Sequence, residues 1–272
     1  MSKPNLILSR KGLDSSNSNK PSLVWENGAL VSLPIPSNDT TRYADLKYLD
    51  WSYERIITDL KILPKSTELR CHCDPDIYAE NKKDTIKDWK ACFGQHDIAQ
   101  LHLEGRKVKE GDIFLFFGWF KKTQIIDGQL RYVKGSPDQH VIYGYLEIGE
   151  IIKKPEIVKK YYWHPHAQEN FIGKDNHNAL YIASEFLLDT KLPGFGTFKY
   201  SPDLVLTKEG YSRSKWELPK VISGDKLSYH NESSKKDDYF QSACIGQEFV
   251  IEAGDDIKSW IIELVRKHRF ND

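Results

Sequence analysis

The chain has 272 residues, with 39 basic and 39 acidic side chains and therefore no formal net charge. This balance excludes a dedicated nonspecific nucleic-acid coat, because such binding rests on many phosphate contacts, but it leaves room for a local basic groove. Hydrophobic residues make up 39% and charged residues 29%, which indicates a globular protein, and no window approaches the roughly 18 apolar residues of a membrane span.

A short strand and a polar loop open the chain. Leu6-Ile7-Leu8 is apolar, and Ser9-Arg10-Lys11-Gly12-Leu13-Asp14-Ser15 follows it directly. A strand end with a glycine, hydroxyls and cations commonly presents backbone N–H groups and a basic side chain to an anion, although P-loop spacing is absent. A plain surface loop is the equal alternative. The candidate phosphate ligands are Arg10, Lys11, Asp14 and Ser15.

A hairpin and a helix are predicted next. The turn signal Asn27-Gly28 separates Leu23-Val24-Trp25 from residues 29–33, which is typical of a β-hairpin. Between residues 43 and 63 the apolar side chains recur at helical spacing until Pro64, so the pattern predicts a helix over 43–63.

The segment around Asp74 concentrates titratable groups. Arg70, His72 and Asp74 alternate, so on a strand they would project from one face, and Pro75 would end that strand. Such groups are costly to bury without partners. We predict His72, Asp74 and Asp76 as the catalytic group, either as acid–base residues or as ligands of a divalent ion, with Arg70 binding the substrate. A solvated strand end with turn-capping aspartates is the alternative.

A polar turn and a short helix follow Phe93-Gly94-Gln95. Asp97 is placed to cap a helix that begins at Ile98. The side-chain amides of Gln95 and Gln100 suit hydrogen bonding to a base edge, so both are candidates for substrate recognition. Structural hydrogen bonding to the backbone is the competing interpretation.

Two long apolar segments form the centre of the predicted fold. Ile113-Phe114-Leu115-Phe116-Phe117 is too hydrophobic for a solvated strand and should be buried on both faces. Residues 140–151 are β-branched or aromatic with small and polar residues among them, which predicts a second strand of the same sheet with one wetter face. His140 is a candidate ligand contact on this strand.

A second histidine cluster lies at Trp163-His164-Pro165-His166. Two histidines at this spacing would share one face of a strand and reach one metal ion or phosphate, although Pro165 favours a loop. His164 and His166 are therefore candidate substrate ligands. Nearby polar residues are Asn170, Asn176 and Asn178.

Residues 212–219 supply hydroxyls, two cations and a tryptophan in one loop. This mixture fits phosphate contact combined with stacking on a base, so Ser214 and Trp216 are further candidate substrate ligands. The alternative is that Trp216 is anchored in the core with its polar neighbours solvated.

The remaining predicted elements are short. Residues 178–183 predict a strand, residues 192–196 predict a turn, and residues 200–206 lead into another short strand. Residues 258–270 predict a C-terminal amphipathic helix.

The four cysteines fit a reducing compartment. Cys71 and Cys73 do not have the C-x2-C spacing of a zinc knuckle, and Cys92 and Cys244 stand apart. The first residues lack the apolar region of a secretory signal. We therefore expect free thiols and a cytoplasmic protein.

Several short stretches occur along the chain in a recognisable order. They are residues 8–15, His72-Cys73-Asp74-Pro75-Asp76-Ile77, Phe93-Gly94-Gln95, residues 99–103, residues 111–118, Trp163-His164-Pro165-His166 and Gly246-Gln247-Glu248-Phe249-Val250. Their order and spacing resemble the third of the nucleotide-modification-associated domain families, over nearly the whole chain. The resemblance implies a role connected with nucleotide or DNA modification, including hypermodified bases, often in phages or mobile elements. It also leads us to expect a glycine after Gln95, where this chain has His96-Asp97.

The expected fold is a single α+β domain over residues 1–272. It would be built around a mixed, mostly antiparallel sheet or a partly open barrel, with a few flanking helices. Gly111-Asp112 leading into an apolar strand is similar to PUA-like and EVE-like domains, an analogy of fold that does not carry function by itself.

The expected function is an enzyme that modifies a base or nucleotide, in DNA, through the His, Asp and Arg cluster. A nucleotide or DNA is the expected partner, no membrane partner is expected, and a divalent metal ion is the cofactor to test. One alternative is a non-catalytic reader of modified bases with an aromatic cage near Trp119, Tyr143 and Trp216. Another is a defence protein that cleaves modified foreign DNA with the help of a metal ion.

Overall fold

A computed structural model of the chain describes residues 3–62, 69–78, 86–172, 177–244 and 246–270. Leu63 and Pro64, at the end of the predicted helix, and Asn176 lie outside the described residues. The strands are, in chain order, β1 (Asn5–Arg10), β2 (Ser22–Val24), β3 (Leu30–Val31), β4 (Ile35–Pro36), β5 (Lys47–Tyr48), β6 (Trp51–Ser52), β7 (Cys71–His72), β8 (Cys92–Gln95), β9 (Ile113–Ile126), β10 (Gln129–Tyr132), β11 (Gln139–Ile152), β12 (Ala179–Ala183), β13 (Phe195–Thr197), β14 (Lys215–Trp216), β15 (Phe240–Gln241) and β16 (Glu248–Glu252). The α-helices are α1 (Tyr53–Asp59), α2 (Asp97–Gly105), α3 (Pro155–Val158) and α4 (Asp255–His268).

A ten-stranded sheet organises this α+β fold, and its main path runs β16-β1-β9-β11-β12-β8. Strands β1 and β2 pair with β9 in parallel, and the other described neighbours pair antiparallel, so the sheet is open, mixed and mostly antiparallel. The predicted sheet class is confirmed. Among the described helices, none is long and apolar enough to cross a membrane.

The central strands β9 and β11 pair antiparallel over most of their length. Every side chain from Ile113 to Phe117 is fully buried, which confirms the prediction from their continuous apolar sequence. Helix α4 covers part of this core with Ile257 and Ile261. Burial of one such large apolar side chain contributes roughly 1.5–3 kcal/mol. The wetter face expected of β11 is confined to its C-terminal end, because its first half is buried.

The hairpin of β2 and β3 is confirmed, but the helix predicted over 43–63 is wrong in its first half. Residues Tyr43–Asp45 form a single 3-10 turn, and Leu49 has a φ of 51°, which an α-helix does not allow. Helix α1 begins only after Ser52, whose side chain accepts a hydrogen bond from Arg55 N at 3.2 Å. The apolar spacing reflects burial in a common core of several short elements.

Residues 200–206, expected to lead into a short strand, lead only to isolated bridges at Val205 and Thr207. Residues Pro202–Leu204 form a 3-10 turn, in which the Ser201 hydroxyl accepts a hydrogen bond from Asp203 N at 3.3 Å. Pro202 has no N–H to donate to a strand partner and fits the first position of such a turn. The strand predicted over 178–183 is confirmed as β12, and the C-terminal helix as α4, which begins at Asp255.

Strand β8 lies at the end of the main path and positions the polar clusters described below. It pairs with β12 on one side. On the other side, Asp76 N donates to Cys92 O at 2.8 Å, and Cys92 N donates to Asp76 O at 3.1 Å. The segment after β7 is thereby held against the beginning of β8. Within the described residues no cysteine forms a disulfide.

Candidate functional site

Three side chains from two distant parts of the chain converge beside β8. They belong to His72 on β7, to Asp74 two residues later, and to His166 on the 3-10 turn Pro165–Ala167. One ring nitrogen of each histidine and one carboxylate oxygen lie within 4.8 Å of one another. The side chain of His72 is 16% exposed and that of Asp74 4% exposed, and His166 is buried. His72 therefore lies at the opening of this His–Asp cluster.

Asp74 is held as a carboxylate by two donors to the same oxygen. Gly94 N donates to Oδ1 at 2.9 Å, and His164 Nε2 donates to it at 3.1 Å. His164 Nδ1 accepts a hydrogen bond from His166 N, so the ring proton of His164 lies on Nε2. Burial raises the pKa of Asp74, but the hydrogen bond from His164 and the nearby histidines lower it well below its ordinary value. Asp74 Oδ2 accepts no hydrogen bond from the described residues.

The ring of His72 is oriented by Asp39. His72 Nδ1 lies 2.6 Å from Asp39 Oδ2, and an ionised carboxylate only accepts hydrogen bonds, so Nδ1 carries a proton. In the neutral ring the lone pair then lies on Nε2, which is 3.9 Å from Asp74 Oδ2. That separation is too long for a hydrogen bond.

The ring of His166 is oriented in the same way by Asn178. Asn178 Nδ2 donates to His166 O at 2.9 Å, which turns the amide oxygen of Asn178 toward the ring. His166 Nδ1 lies 2.7 Å from that oxygen and therefore carries the proton. Burial lowers the pKa of His166 well below its ordinary value, so the ring is neutral with its lone pair on Nε2.

The walls of the cluster are close-packed. A Cβ atom added at Gly94 would lie 2.3 Å from His166 Cδ2, so only glycine leaves room for this ring. Phe171 stacks on His166 with 4.4 Å between ring centroids. The His96 ring lies 5.5 Å from the His166 ring, and its Nδ1 contacts Asp97. His96 stands where a glycine is expected, and the next residue, Asp97, has a φ of 52°, a left-handed conformation that is uncommon outside glycine.

A second polar cluster joins Lys11, Gln95 and Glu248. Lys11 Nζ lies 2.9 Å from Glu248 Oε1, and Gln95 Nε2 donates to the same oxygen at 2.7 Å. Glu248 is 1% exposed, and its Oε2 has no hydrogen-bond partner among the described residues. The Lys11 ammonium also lies over the Phe93 ring. Lys11 and Gln95, predicted to bind phosphate and base, are thus engaged by a buried glutamate.

Asp14 occupies two backbone donors of the predicted phosphate loop. Asp14 Oδ1 accepts hydrogen bonds from Ser16 N at 2.8 Å and Asn17 N at 3.2 Å. Arg10 Nη2 donates to Gly246 O at 2.6 Å, so its guanidinium fastens the loop that precedes β16. Ser15 is exposed and its hydroxyl accepts a hydrogen bond from Arg213.

Other predicted site residues lie outside the two clusters or support them. Arg70 Nη1 donates to Thr40 O at 3.2 Å and so holds the loop that carries Asp39. The buried Asp76 accepts a hydrogen bond from Trp89 Nε1 at 3.0 Å. Gln100 Oε1 accepts one from the Tyr181 hydroxyl at 2.8 Å, in the interior.

His140 and Trp216 form a buried pair, in which Trp216 Nε1 donates to His140 Nδ1 at 3.0 Å. Ser214, in the same region, accepts a backbone hydrogen bond from Ser242. Tyr143 is fully buried, and the face of Trp119 is covered by the Arg213 guanidinium at 3.9 Å. The three aromatic residues of the predicted cage are therefore covered by the protein itself.

One cavity lies beside the His–Asp cluster, and a second lies apart from it. One of about 30 Å³ is lined by Ser32, Asp74 and Tyr143 and has room for a water molecule but not for a base. The other, of about 780 Å³, lies between α4 and residues 202–221, and no predicted site residue lines it.

The two clusters are completed by Asp39, Asn178 and Glu248. Of these, the sequence indicates only Asn178, as a polar neighbour of the histidines. Glu248 lies within one of the recurring stretches, and Asp39 has no local signal because it reaches His72 only through the fold.

Comparison with known proteins identifies one family. The family model described as nucleotide modification associated domain 3 matches residues 5–252. No curated protein and no solved structure matches the chain. The matched range includes every residue of the His–Asp cluster and of the Lys11–Glu248 cluster.

Proposed function

Because the chain belongs to the nucleotide modification associated domain 3 family, we propose that it is an enzyme that modifies a base or nucleotide at the His–Asp cluster. The family supports a role connected with nucleotide modification. The observation that carries the assignment to this site is the convergence of His72, Asp74 and His166 within 4.8 Å. Buried and perturbed titratable groups that meet at one point are typical of functional sites.

The chemistry available to the cluster follows from its protonation states. Asp74 is an anion, His166 is a neutral ring with its lone pair on Nε2, and His72 directs Nδ1 to Asp39 and leaves Nε2 toward Asp74. Such groups accept protons or bind an electrophile, and a largely buried site strengthens their electrostatic effect on a reacting atom. His72 is the most exposed member, so it is the residue that we expect to meet the substrate first.

The surface beside the opening suits a flat ring. Phe171 and His96 contact each other with ring centroids 5.0 Å apart, and both lie beside His166. Aromatic side chains of this kind stack on bases without strong sequence preference. We therefore propose that the base of the substrate reaches the cluster along His96 and Phe171, with DNA as the expected form of the substrate.

The test uses host cells, which supply any co-substrate. DNA and free nucleotides from cells that produce the wild-type chain are digested to nucleosides and analysed by mass spectrometry. We expect a nucleoside of altered mass, and we expect it to disappear in the Asp74→Asn variant while the melting temperature stays within a few degrees.

Asp203→Asn serves as the matched control, because it makes the same substitution at an exposed carboxylate that pairs with Lys267 and His268 and lies outside the cluster. An altered nucleoside that persists in a folded Asp74→Asn variant would contradict the assignment to this site. Tight binding of modified DNA with no altered nucleoside would favour the reader instead, and cut DNA would favour the defence nuclease.

A further inference from the structure

The His–Asp cluster brings three hydrogen-bond acceptors together. His72 and His166 each use Nδ1 to donate a hydrogen bond away from the centre, to Asp39 and Asn178 respectively. Asp74 receives both of its hydrogen bonds on Oδ1. The atoms that remain are Nε2 of each histidine and Oδ2 of Asp74.

Such an arrangement is unfavourable on its own. One ligand atom of each residue lies within 4.8 Å of the others, and an anionic oxygen repels nitrogen lone pairs at such distances. A cation at the centre converts the same arrangement into an attractive one.

We propose that His72, Asp74 and His166 bind one divalent first-row transition metal ion, through Nε2 of both histidines and Oδ2 of Asp74. The proposal deepens the proposed function and rests on it for the role of the ion, whereas binding of the ion can be measured independently.

The supporting contacts have the form of a metal site. Histidine ligands almost always donate their other ring N–H to a carboxylate or an amide oxygen, which fixes the tautomer and orients the ring. Asp39 provides this contact for His72 and Asn178 provides it for His166. Gly94 N and His164 hold the opposite oxygen of Asp74 in the same way.

The ligand set selects the class of ion. Two imidazoles and one carboxylate suit Fe²⁺, Mn²⁺, Co²⁺ or Zn²⁺, whereas Mg²⁺ and Ca²⁺ prefer oxygen ligands throughout. Three protein ligands leave coordination positions for water or substrate. An ion there would polarise a substrate oxygen or nitrogen, or lower the pKa of a bound water, at the place where His72 opens to solvent.

The test is titration of chelator-treated protein with Co²⁺, followed by visible absorption and calorimetry. We expect one equivalent to bind and Zn²⁺ to displace it, while millimolar Mg²⁺ does not. His72→Ala, His166→Ala and Asp74→Asn should each weaken binding at least 100-fold. His96→Ala, which removes a neighbouring histidine outside the ligand set, should bind as the wild type does.

One variant avoids the risk that removing a ligand unfolds the protein. Asp39→Asn keeps the size of the side chain and leaves the three ligands in place, and loss of such a supporting contact typically weakens metal binding 10- to 100-fold. The melting temperature of every variant is measured alongside its affinity.

The proposal is overturned if the wild type fails to bind one equivalent of Co²⁺ or Zn²⁺. It is equally overturned if a folded His72→Ala or Asp74→Asn variant retains wild-type affinity. Nucleoside modification by metal-free protein would remove the role of the ion and leave the proposed function intact. Stoichiometric binding with no modification of any nucleoside would overturn the proposed function and leave the metal site intact.

Discussion

His166 and Asn178 form a reciprocal pair, in which Asn178 donates to the backbone carbonyl of His166 and accepts from its ring. One residue therefore fixes the backbone, the ring orientation and the tautomer of the histidine together. We expect Asn178→Ala to weaken Co²⁺ binding 10- to 100-fold and to reduce the free energy of unfolding by about 1–2 kcal/mol. Nitrogen-15 NMR of the ring should show that His166 loses its single tautomer, and an unchanged spectrum would contradict this.

Gly94→Ala should displace the His166 ring through a steric clash with the strand β8. The new methyl group would lie 2.3 Å from His166 Cδ2, so the ring must move, although the strand conformation itself accepts alanine. We expect loss of metal affinity and a destabilisation of about 1–3 kcal/mol, as is common for overpacking. Gly105→Ala is the matched control, because nothing lies within 4 Å of its added Cβ. A normal metal affinity in Gly94→Ala would mean that the His166 ring can move away from the new methyl group and still bind the ion.

Lys11→Met tests whether Lys11 is a structural or a phosphate-binding cation. Its ammonium is paired with Glu248, which is 1% exposed, and removal of one partner leaves a buried charge uncompensated. We expect a loss of about 3 kcal/mol in urea unfolding. The double variant Lys11→Met with Glu248→Gln should lose less than the sum of the two single changes. If Lys11→Met instead weakened DNA binding at unchanged stability, the phosphate prediction would be upheld.

His140 should make stability depend on pH. Burial, with the nearby Arg10 and Arg213, lowers its pKa to about 3. In the unfolded chain the His140 ring takes up a proton near its ordinary pKa of about 6.5. The contribution of neutral His140 to the free energy of unfolding is therefore fully present above about pH 6.5. It is lost as the pH falls toward 3, by on the order of 1 kcal/mol per pH unit.

His140→Gln is the comparison for this effect, because glutamine offers Trp216 Nε1 an acceptor without titrating. Urea unfolding of both proteins at pH 7 and pH 5 should give a smaller difference for the variant. Equal differences in the two proteins would show that His140 does not control the acid sensitivity.

The central sheet could be predicted from the sequence because its signals are local. The run from Ile113 to Phe117 is too apolar for any place but the interior, and β11 shares its character. The helix over 43–63 failed for a related reason. Periodic apolar residues report which side chains share a core, and separate short elements around Leu49 satisfy the same pattern as one helix.

The candidate site was predictable only in part. The alternation of His72 and Asp74 and the spacing of His164 and His166 indicated polar chemistry, but not that the two groups meet. That meeting depends on pairings across the fold, such as the one between Asp76 and Cys92. The phosphate loop shows a further limit, because the sequence does not reveal that Asp14 occupies the backbone N–H groups of Ser16 and Asn17.

Strand β8 links the two polar clusters through two adjacent residues. Gly94 and Gln95 are adjacent on the strand, so one faces His166 and the other faces Glu248. A slip of β8 by one residue would exchange these faces and dismantle both clusters in a single event. The amide hydrogen of Gly94 is bonded to Asp74 Oδ1 and should exchange with solvent only when that contact opens. Its exchange rate therefore measures how often the His–Asp cluster is open.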